Sequence, residues 1–185
     1  MVLLAKKSSR AIRNPRLAVA ILNAQIQMRG KARMPFTVSL RGRVRISGRG
    51  EVVLGTGVTF VADIVPIEFI AHEGARVLIG DGTFINYGSS ISAHKSVSIG
   101  HSCHLGHYTR ILDNSHHDVR RHYLLPASKP VVIEDHVWIG SHTVILPGVH
   151  IGHNAVIGAG SVVSTNIPAN SLAIGNPAKV VRRLD

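Results

Sequence analysis

The sequence has 185 residues, enough for one domain with a sizeable core, and length alone gives no reason to divide it. Its residues are 45% hydrophobic but only 4% aromatic, with 18 glycines, so Val, Ile and Leu must supply most of the packing. A formal net charge of +11 favours an anionic partner: a nucleic acid, an anionic lipid or a phosphorylated small molecule.

The sequence carries no pattern typical of export or membrane insertion. It has no run of about 20 apolar residues, and charges and Pro15 interrupt the first 30 residues in a way that a cleaved signal peptide does not. We therefore expect a cytoplasmic protein. Cys103 is the only cysteine, which excludes an intramolecular disulfide and a thiolate metal cluster within one chain, and we expect it to be a small buried residue.

The first predicted element is a helix. Residues 16–29 are rich in helix formers, with Pro15 just ahead and Gly30 just behind as start and stop signals. We expect an N-terminal helical and basic segment over residues 1–34, in which the helix caps one end of the body. A basic segment that makes peripheral contact with a membrane is the alternative interpretation.

A strand is predicted next. The sequence RGRVRISGRG places Arg41, Arg43 and Arg45 on one face, since side chains alternate along a strand. Arginine on an edge strand discourages the addition of another strand, so we expect a solvated edge.

Most of the remaining chain repeats an aliphatic residue at every sixth position. The later series is Ile133, Ile139, Ile145, Ile151, Ile157 and Val163; the earlier one is Ile79, Ile85, Ile91 and Val97, followed after a shift of two residues by Ile99, Leu105 and Ile111. This period fits a chain that coils as a triangular prism, with one inward aliphatic side chain on each side of an 18-residue coil. The stacked pairs predicted in this way are Ile133 with Ile151, Ile139 with Ile157, and Ile145 with Val163.

Two stretches carry a family resemblance: VSIGHSCHLG, which starts at Val97, and the C-terminal 55 residues, which include VWIGSH, VIGAGSVV and GNPAKVVRR. They resemble the hexapeptide-repeat acyltransferases, especially the maltose and galactoside O-acetyltransferase branch and the capsule and lipopolysaccharide sugar O-acetyltransferases. The resemblance implies an all-β fold, a left-handed parallel β-helix over residues 35–185, with a short N-terminal helix, a loop extruded from one coil and a C-terminal tail at 167–185. It also implies a homotrimer that transfers an acetyl group from acetyl-CoA to a hydroxyl of a carbohydrate or glycoconjugate and requires no metal.

Residues 113–130 lack the six-residue period and are expected to form the extruded loop. Acyl transfer to a hydroxyl needs a general base, and histidine titrates close enough to neutrality for that task. The family commonly places its catalytic histidine in such a loop as Asp-x-x-x-His. The match from Asp113 selects His117, whereas the spacing of some relatives, one residue shorter, selects His116. Asp113 or Asp118 is expected to orient the imidazole.

The resemblance also assigns an acceptor-binding residue. Asn86, in FINYG, matches an asparagine that binds the acceptor hydroxyl region, although asparagine also suits a corner of the prism. Gly88 stands where the family has its next asparagine, which leaves the sugar specificity open.

For coenzyme A the resemblance indicates a groove between two prisms. The assigned residues are Ser141 and Ala159 in the pantetheine channel, Ser164 and Thr165 in its outer half, and Lys179 and Arg182 at the phosphates. Thr165 follows Ser164 where the family usually has a basic residue, and we expect Arg183 to substitute for it. The backbone N–H of Ser141 is the expected oxyanion donor.

Three other functions remain as alternatives. A sugar-nucleotide N-acetyltransferase has similar coils, but such enzymes usually carry a Gly-rich nucleotide-binding domain. A carbonic-anhydrase-like metalloenzyme would use His101, His104 and His107 as metal ligands. However, His101 and His107 occupy the same place on successive sides of the prism, so their side chains point about 120° apart and cannot converge within one chain. A nucleic-acid-binding module would need aromatic residues among the dozen Lys and Arg of residues 6–49, where only Phe36 occurs, so we expect no nucleic-acid partner.

Overall fold

A computed structural model describes residues 14–184. The chain forms a left-handed parallel β-helix with a triangular cross-section, as the six-residue period and the family resemblance predicted. Helix α1 (Pro15–Met28) precedes the coils and starts one residue before the predicted position. The side-chain oxygen of Asn14 caps this helix by accepting hydrogen bonds from the N–H groups of Arg16 and Leu17.

Three parallel ladders form the sides of the prism. Side 1 contains β2 (Glu51–Leu54), β4 (Arg76–Ile79), β7 (Ser96–Ile99), β10 (Val131–Ile133) and β13 (His150–Ile151). Side 2 contains β5 (Phe84–Asn86), β8 (His104–Leu105), β11 (Trp138–Ile139), β14 (Val156–Ile157) and β16 (Ser171–Gly175). Side 3 contains β6 (Ser90–Ala93), β9 (Arg110–Leu112), β12 (Val144–Ile145) and β15 (Val162–Val163).

Two long strands, β1 (Ser39–Ser47) and β3 (Thr59–Ala71), turn a corner and contribute to both side 2 and side 3. In each coil the chain passes from side 1 to side 2 to side 3. We name the corners by the sides that they join: corner 1–2, corner 2–3 and corner 3–1.

The inward residues of the period are stacked as predicted. Ile133 pairs with Ile151, Ile139 with Ile157, and Ile145 with Val163, and each of these side chains is at most 1% exposed. Burying an aliphatic side chain contributes roughly 1.5–3 kcal/mol, so this repeated stacking supplies the main stabilisation of the prism.

Apart from the coil that carries the extruded loop, where Ile99 and Ile133 are 34 positions apart, coil length decreases from the N-terminal end to the C-terminal end. The paired residues of side 1 are Leu54 with Ile79, Ile79 with Ile99, Ile133 with Ile151 and Ile151 with Ile167, which are 25, 20, 18 and 16 positions apart. The uniform 18-residue coil expected from the period is therefore wrong for the N-terminal coils, where the extra residues collect at corners 2–3 and 3–1. The larger cross-section there holds Phe60 and Phe69, whose rings pack edge to face at 5.8 Å.

Helix α1 covers the wide end of the prism and belongs to the same core. Ala24 and Met28 are buried together with Leu40 of β1. The side-chain amides of Asn23 and Gln27 each donate to the carbonyl of Gly42 at 2.9 Å. Within residues 14–184, no helix is long and apolar enough to cross a membrane.

Strand β1 lies at a sheet edge with its three arginines exposed, but the expectation that they share one face is wrong. The strand turns corner 2–3 between Gly42 and Val44, where its register with β3 shifts. Arg41 therefore projects from side 2 and Arg45 from side 3, each paired with a carboxylate of β3.

The segment 113–130 leaves the prism between β9 and β10, at corner 3–1, with the predicted bounds. At the C-terminal end, β16 and β17 (Ala178–Arg183) form an antiparallel hairpin that extends side 2. Cys103 is buried in the core, as predicted, and its burial raises the pKa of the thiol.

Candidate active site at two corners of the prism

The two residues assigned to the pantetheine channel stack on each other at corner 2–3. Ser141 and Ala159 each follow a glycine, and a Cβ on Gly140 would lie only 2.5 Å from the backbone nitrogen of Ala159. Glycine at that place therefore lets the next coil approach closely. His107 occupies the equivalent place one coil earlier, and its Nδ1 lies 2.9 Å from the Ser141 hydroxyl.

A row of unused backbone donors runs along this corner. The N–H groups of His107, Ser141 and Ala159 have no acceptor anywhere in the described part of the chain. Because neighbouring strands are about 4.8 Å apart, these donors repeat at that interval along the prism. Such a row can bind the polar groups of an extended ligand, or an oxyanion that develops during a reaction.

Corner 1–2 differs in this respect. There, the corresponding N–H groups of Thr56, His101 and His153 donate to the carboxylates of neighbouring coils, at 2.7, 2.7 and 2.8 Å. The unused donors of corner 2–3 are therefore not a general property of the coil.

Aromatic and imidazole rings cluster on the same corner, and the sequence analysis missed them. Tyr87 stacks on His107 with centroids 5.1 Å apart, and Tyr108 stacks on His142 at 5.0 Å. Tyr108 and His142 also line an open cleft of about 420 Å³. The signal was available, because these residues recur at the same corner of three successive coils.

Asn86 lies at the same corner, one coil before the row of free donors. Its side-chain oxygen accepts a hydrogen bond from the N–H of Tyr87 at 2.9 Å, the local contact of a corner residue. Its assignment to acceptor binding stays a prediction.

His116 lies at corner 3–1 and contacts the coil below it. Its Nδ1 lies 3.3 Å from Nε2 of His94, and His94 stacks on His72 with centroids 3.6 Å apart. Partial burial lowers the pKa of His94, and the neighbouring imidazoles of His72 and His116 lower it further. His94 is therefore neutral at neutral pH and can accept a hydrogen bond from His116.

His117, also exposed, makes a different contact. Its Nδ1 lies 2.6 Å from the carbonyl oxygen of His122, so Nδ1–H is the donor and Nε2 keeps its lone pair. His117 and His122 both belong to the extruded loop, whereas His94, the residue that His116 contacts, belongs to the prism.

Neither predicted orienting carboxylate hydrogen-bonds to these imidazoles, which corrects the expected role of Asp113 and Asp118. The Asp113 carboxylate is buried and accepts three backbone N–H groups of residues 94–96, at 2.6 to 2.7 Å. Asp118 accepts from the N–H groups of Arg120 and Arg121 within the loop. Both carboxylates fix backbone: Asp113 anchors the start of the loop to the neighbouring coil, and Asp118 closes a turn within the loop.

The C-terminal candidates divide between two places. Ser164 and Thr165 are exposed at corner 3–1, on the same edge as His116. Lys179 and Arg182 are exposed on β17. Lys179 is opposite Ile174, whose side chain lies over Gly158 at corner 2–3, so the lysine is next to the end of the donor row.

One protomer therefore presents two separate half-sites. Corner 2–3 carries Ser141 and Ala159, with Lys179 beside them, whereas corner 3–1 carries both loop histidines and Ser164. One side of the prism separates these corners, so the two sets of residues do not converge within a single chain.

The three histidines of the metal alternative are also dispersed. His101 lies at corner 1–2, His104 is on side 2 with its ring stacked on Phe84, and His107 lies at corner 2–3. Within residues 14–184, no group of three or more His, Cys, Asp or Glu side chains is arranged to hold a metal ion.

Comparison with known proteins agrees with this architecture. The bacterial transferase hexapeptide family (six repeats) matches residues 130–165. The galactoside O-acetyltransferase of Escherichia coli K12 is 37% identical over 115 residues, which cover 60% of this chain and 56% of that enzyme. A hexapeptide-repeat acetyltransferase of Vibrio cholerae O1 biovar eltor, solved with acetyl coenzyme A, is 32% identical with a TM-score of 0.57, and the match covers 76% of this chain and 71% of that one. The chain therefore belongs to the hexapeptide-repeat acetyltransferase family.

The chain spans only 55% to 63% of the length of the first curated relatives that it matches. An N-acyltransferase from Bacillus cereus has a higher TM-score of 0.72 but only 16% identity, with 89% of each chain covered, and this likeness shows the fold alone.

Proposed function

We propose that the protein is an acetyl-CoA-dependent O-acetyltransferase whose acceptor is a hydroxyl of a carbohydrate or glycoconjugate. The observation that carries the proposal is the row of free backbone donors at corner 2–3, on Ser141, Ala159 and His107, in a chain of this family. A pantetheine arm has amide carbonyls along its length, so a row of N–H donors suits it. Lys179 and Arg182 supply cations for the phosphates at the end of that row.

The reaction needs one base and one oxyanion donor. The base Nε2 removes the acceptor hydroxyl proton as the hydroxyl oxygen bonds to the thioester carbonyl carbon. The Ser141 N–H donates to the oxyanion that forms. When the tetrahedral intermediate collapses, the C–S bond breaks, the imidazolium returns its proton to the departing thiolate, and the products are an acetyl ester and coenzyme A.

Between the two candidate bases, the contacts favour His116 over His117, which reverses the preference from the Asp-x-x-x-His spacing. A catalytic group must be held in a fixed position, and a ring supported by the prism is held better than one supported by its own loop. His116 contacts His94 of the prism, whereas His117 contacts the loop residue His122. His117 remains the alternative.

The proposal includes a homotrimer with the active site between protomers. Within one chain, corner 2–3 and corner 3–1 each carry only half of the required groups, so a complete site requires corner 3–1 of one protomer to face corner 2–3 of its neighbour. Ser164 and Thr165 would then join the outer half of the groove from the same protomer as the loop. Acetyl-CoA is a cytoplasmic metabolite, which supports a cytoplasmic location.

A thiol-release assay with acetyl-CoA tests the function. The panel contains free sugars, sugar nucleotides and glycolipids, with amino sugars included so that N-acetylation is detected as the alternative outcome. We expect His116→Ala to lower kcat roughly 100- to 10,000-fold. His104→Ala, a change at an exposed histidine on side 2, is the control. Absence of acceptor-dependent thiol release across the panel contradicts the function, and full activity in both His116→Ala and His117→Ala contradicts the site.

A further inference from the structure

Helix α1 has an apolar face that nothing in the described structure covers. Its inner face packs into the core, whereas Val19, Leu22 and Ile26 on the outer face are 66%, 58% and 67% exposed. Spacings of three and four residues align these side chains in one stripe along the helix. A helix that is apolar on both faces is normally buried on both, so this stripe indicates a binding surface.

The charge around this helix has one sign. Residues 1–50 contain twelve Lys and Arg but no Asp or Glu. Three of the twelve, Arg33, Arg41 and Arg45, pair with carboxylates of later strands. Those three are partly neutralised by their partners.

Five other exposed cations lie at the ends of α1 or on segments near it, and they make no ion pair within residues 14–184. Arg16 lies in the first turn of α1, and Arg29 and Lys31 follow its last turn. Arg43 is next to Gly42, whose carbonyl accepts two hydrogen bonds from the helix. Arg49 lines a shallow groove together with Lys31. We call the apolar stripe and these five cations the cap surface.

We propose that the cap surface binds the anionic face of a lipid bilayer. An interfacial helix buries its apolar face among the acyl chains near the headgroups, while flanking Lys and Arg contact anionic phosphates. A second copy of the chain fits poorly, because two surfaces of the same positive sign repel each other. A nucleic acid would leave the apolar stripe unused.

This inference does not depend on the proposed function. If both hold, the bilayer lies at the wide end of the prism and the enzyme works close to lipid-linked acceptors. Activity on free acceptors in solution should then be independent of lipid, so failure of one proposal is distinguishable from failure of the other.

Vesicle flotation with the purified full-length chain tests the proposal. Vesicles contain phosphatidylcholine alone, or phosphatidylcholine with about 30% phosphatidylglycerol. We expect binding to the anionic vesicles only, weakening as salt concentration rises. Leu22→Asp/Ile26→Asp should lower the fraction bound about tenfold or more, because both carboxylates would enter the interface. Arg29→Glu/Lys31→Glu, which changes only exposed charges, should lower lipid affinity at least about fivefold for each residue.

The matched control is Val119→Asp/Tyr123→Asp, which adds the same two charges at exposed positions of the extruded loop, 88% and 83% accessible. It should bind vesicles like the wild type. Equal binding to neutral and anionic vesicles, or unchanged binding by both cap variants, overturns the proposal. A third result also overturns it: the wild type binds no vesicles, and Leu22→Asp/Ile26→Asp changes the oligomeric mass. The stripe would then belong to an interface between copies of the chain.

Discussion

At the scale of residues, the carboxylate of Asp113 is the anchor of the extruded loop. It is fully buried, and its two oxygens accept the backbone N–H groups of His94, Lys95 and Ser96 in the coil below. Hydrogen bonds from N–H groups to a charged carboxylate are strong, so this one side chain fixes both the start of the loop and the position of His94.

Asp113→Ala should therefore lower the free energy of unfolding by about 3 kcal/mol, because three charge-assisted hydrogen bonds to backbone N–H groups are lost. Asp118→Ala is the control, since Asp118 accepts two N–H groups within the loop itself and its loss should cost less than about 1 kcal/mol. Denaturant unfolding at fixed protein concentration measures both. Equal losses would contradict the anchoring role.

His94 is expected to act as a positioning residue for His116. In His94→Ala, the ring of His116 loses its contact with the prism, so kcat should fall at least about tenfold while the KM for acetyl-CoA stays nearly constant. Nitrogen-15 NMR of the His116 ring should show a smaller population of the Nδ1–H tautomer. His94→Asn retains a hydrogen-bond acceptor, so it should restore part of kcat and part of the Nδ1–H population. A loss of kcat in His94→Ala with an unchanged tautomer population would indicate a structural effect only.

The lowered pKa of His94 also predicts a pH dependence of stability. The unfolded chain takes up a proton at this residue near its ordinary pKa of about 6.5, whereas burial and the neighbouring imidazoles make the folded protein resist that proton. Stability from this residue is therefore present above about pH 6.5 and is lost as the pH falls toward the lower folded value. The free energy of unfolding should change less between about pH 7 and pH 5 in His94→Asn than in His104→Asn, the control at an exposed histidine.

At the scale of elements, alternation along the short strands decides which side chains stabilise the prism. Ile133 and Val132 are neighbours on β10, but Ile133 points inward at 1% exposure and Val132 outward at 38%. Ile133→Ala should cost about 3 kcal/mol through lost burial and the cavity that remains. Val132→Ala should cost less than about 1 kcal/mol, and similar unfolding midpoints for the two variants would contradict this assignment.

The sequence pattern was sufficient for the regular coils and for corner 2–3. Counting in sixes stacks Ile139 on Ile157, and the same count places Ser141 beside Ala159, because nothing is inserted between them. Burial of alternate aliphatic side chains determines this register, so it can be read without a structure.

The remaining features depend on corners, which the period does not describe. The extra residues at corner 3–1 align His72, His94 and His116 at spacings of 22, and that contact is invisible to a count in sixes. The turn of β1 at Gly42 is likewise determined by its pairing with β3, which belongs to the longer coil that follows. Backbone hydrogen bonds to Asp113, and not a histidine contact, explain why a carboxylate begins the loop.

At the scale of the whole molecule, a site shared between protomers predicts complementation. His116→Ala inactivates one half-site and Ala159→Trp blocks the other, so each variant alone should be inactive. Trimers mixed from equal amounts of both should regain activity at about a quarter of the interfaces, those that combine an intact loop with an intact groove. Thiol release after co-refolding measures this, with each variant refolded alone as control. No recovery in mixed trimers of confirmed mass would contradict a shared site.

Because coil length decreases along the prism, its two ends do not accept an added coil equally well. Among the described coils, only the one that starts at β10 keeps the 18-residue spacing on all three sides, and it lies between the extruded loop and the β16–β17 hairpin. Duplicating that coil would lengthen the prism by one strand spacing, about 4.8 Å. The distance between the loop histidines and the cations of β17 is therefore set by the fold in steps of one coil.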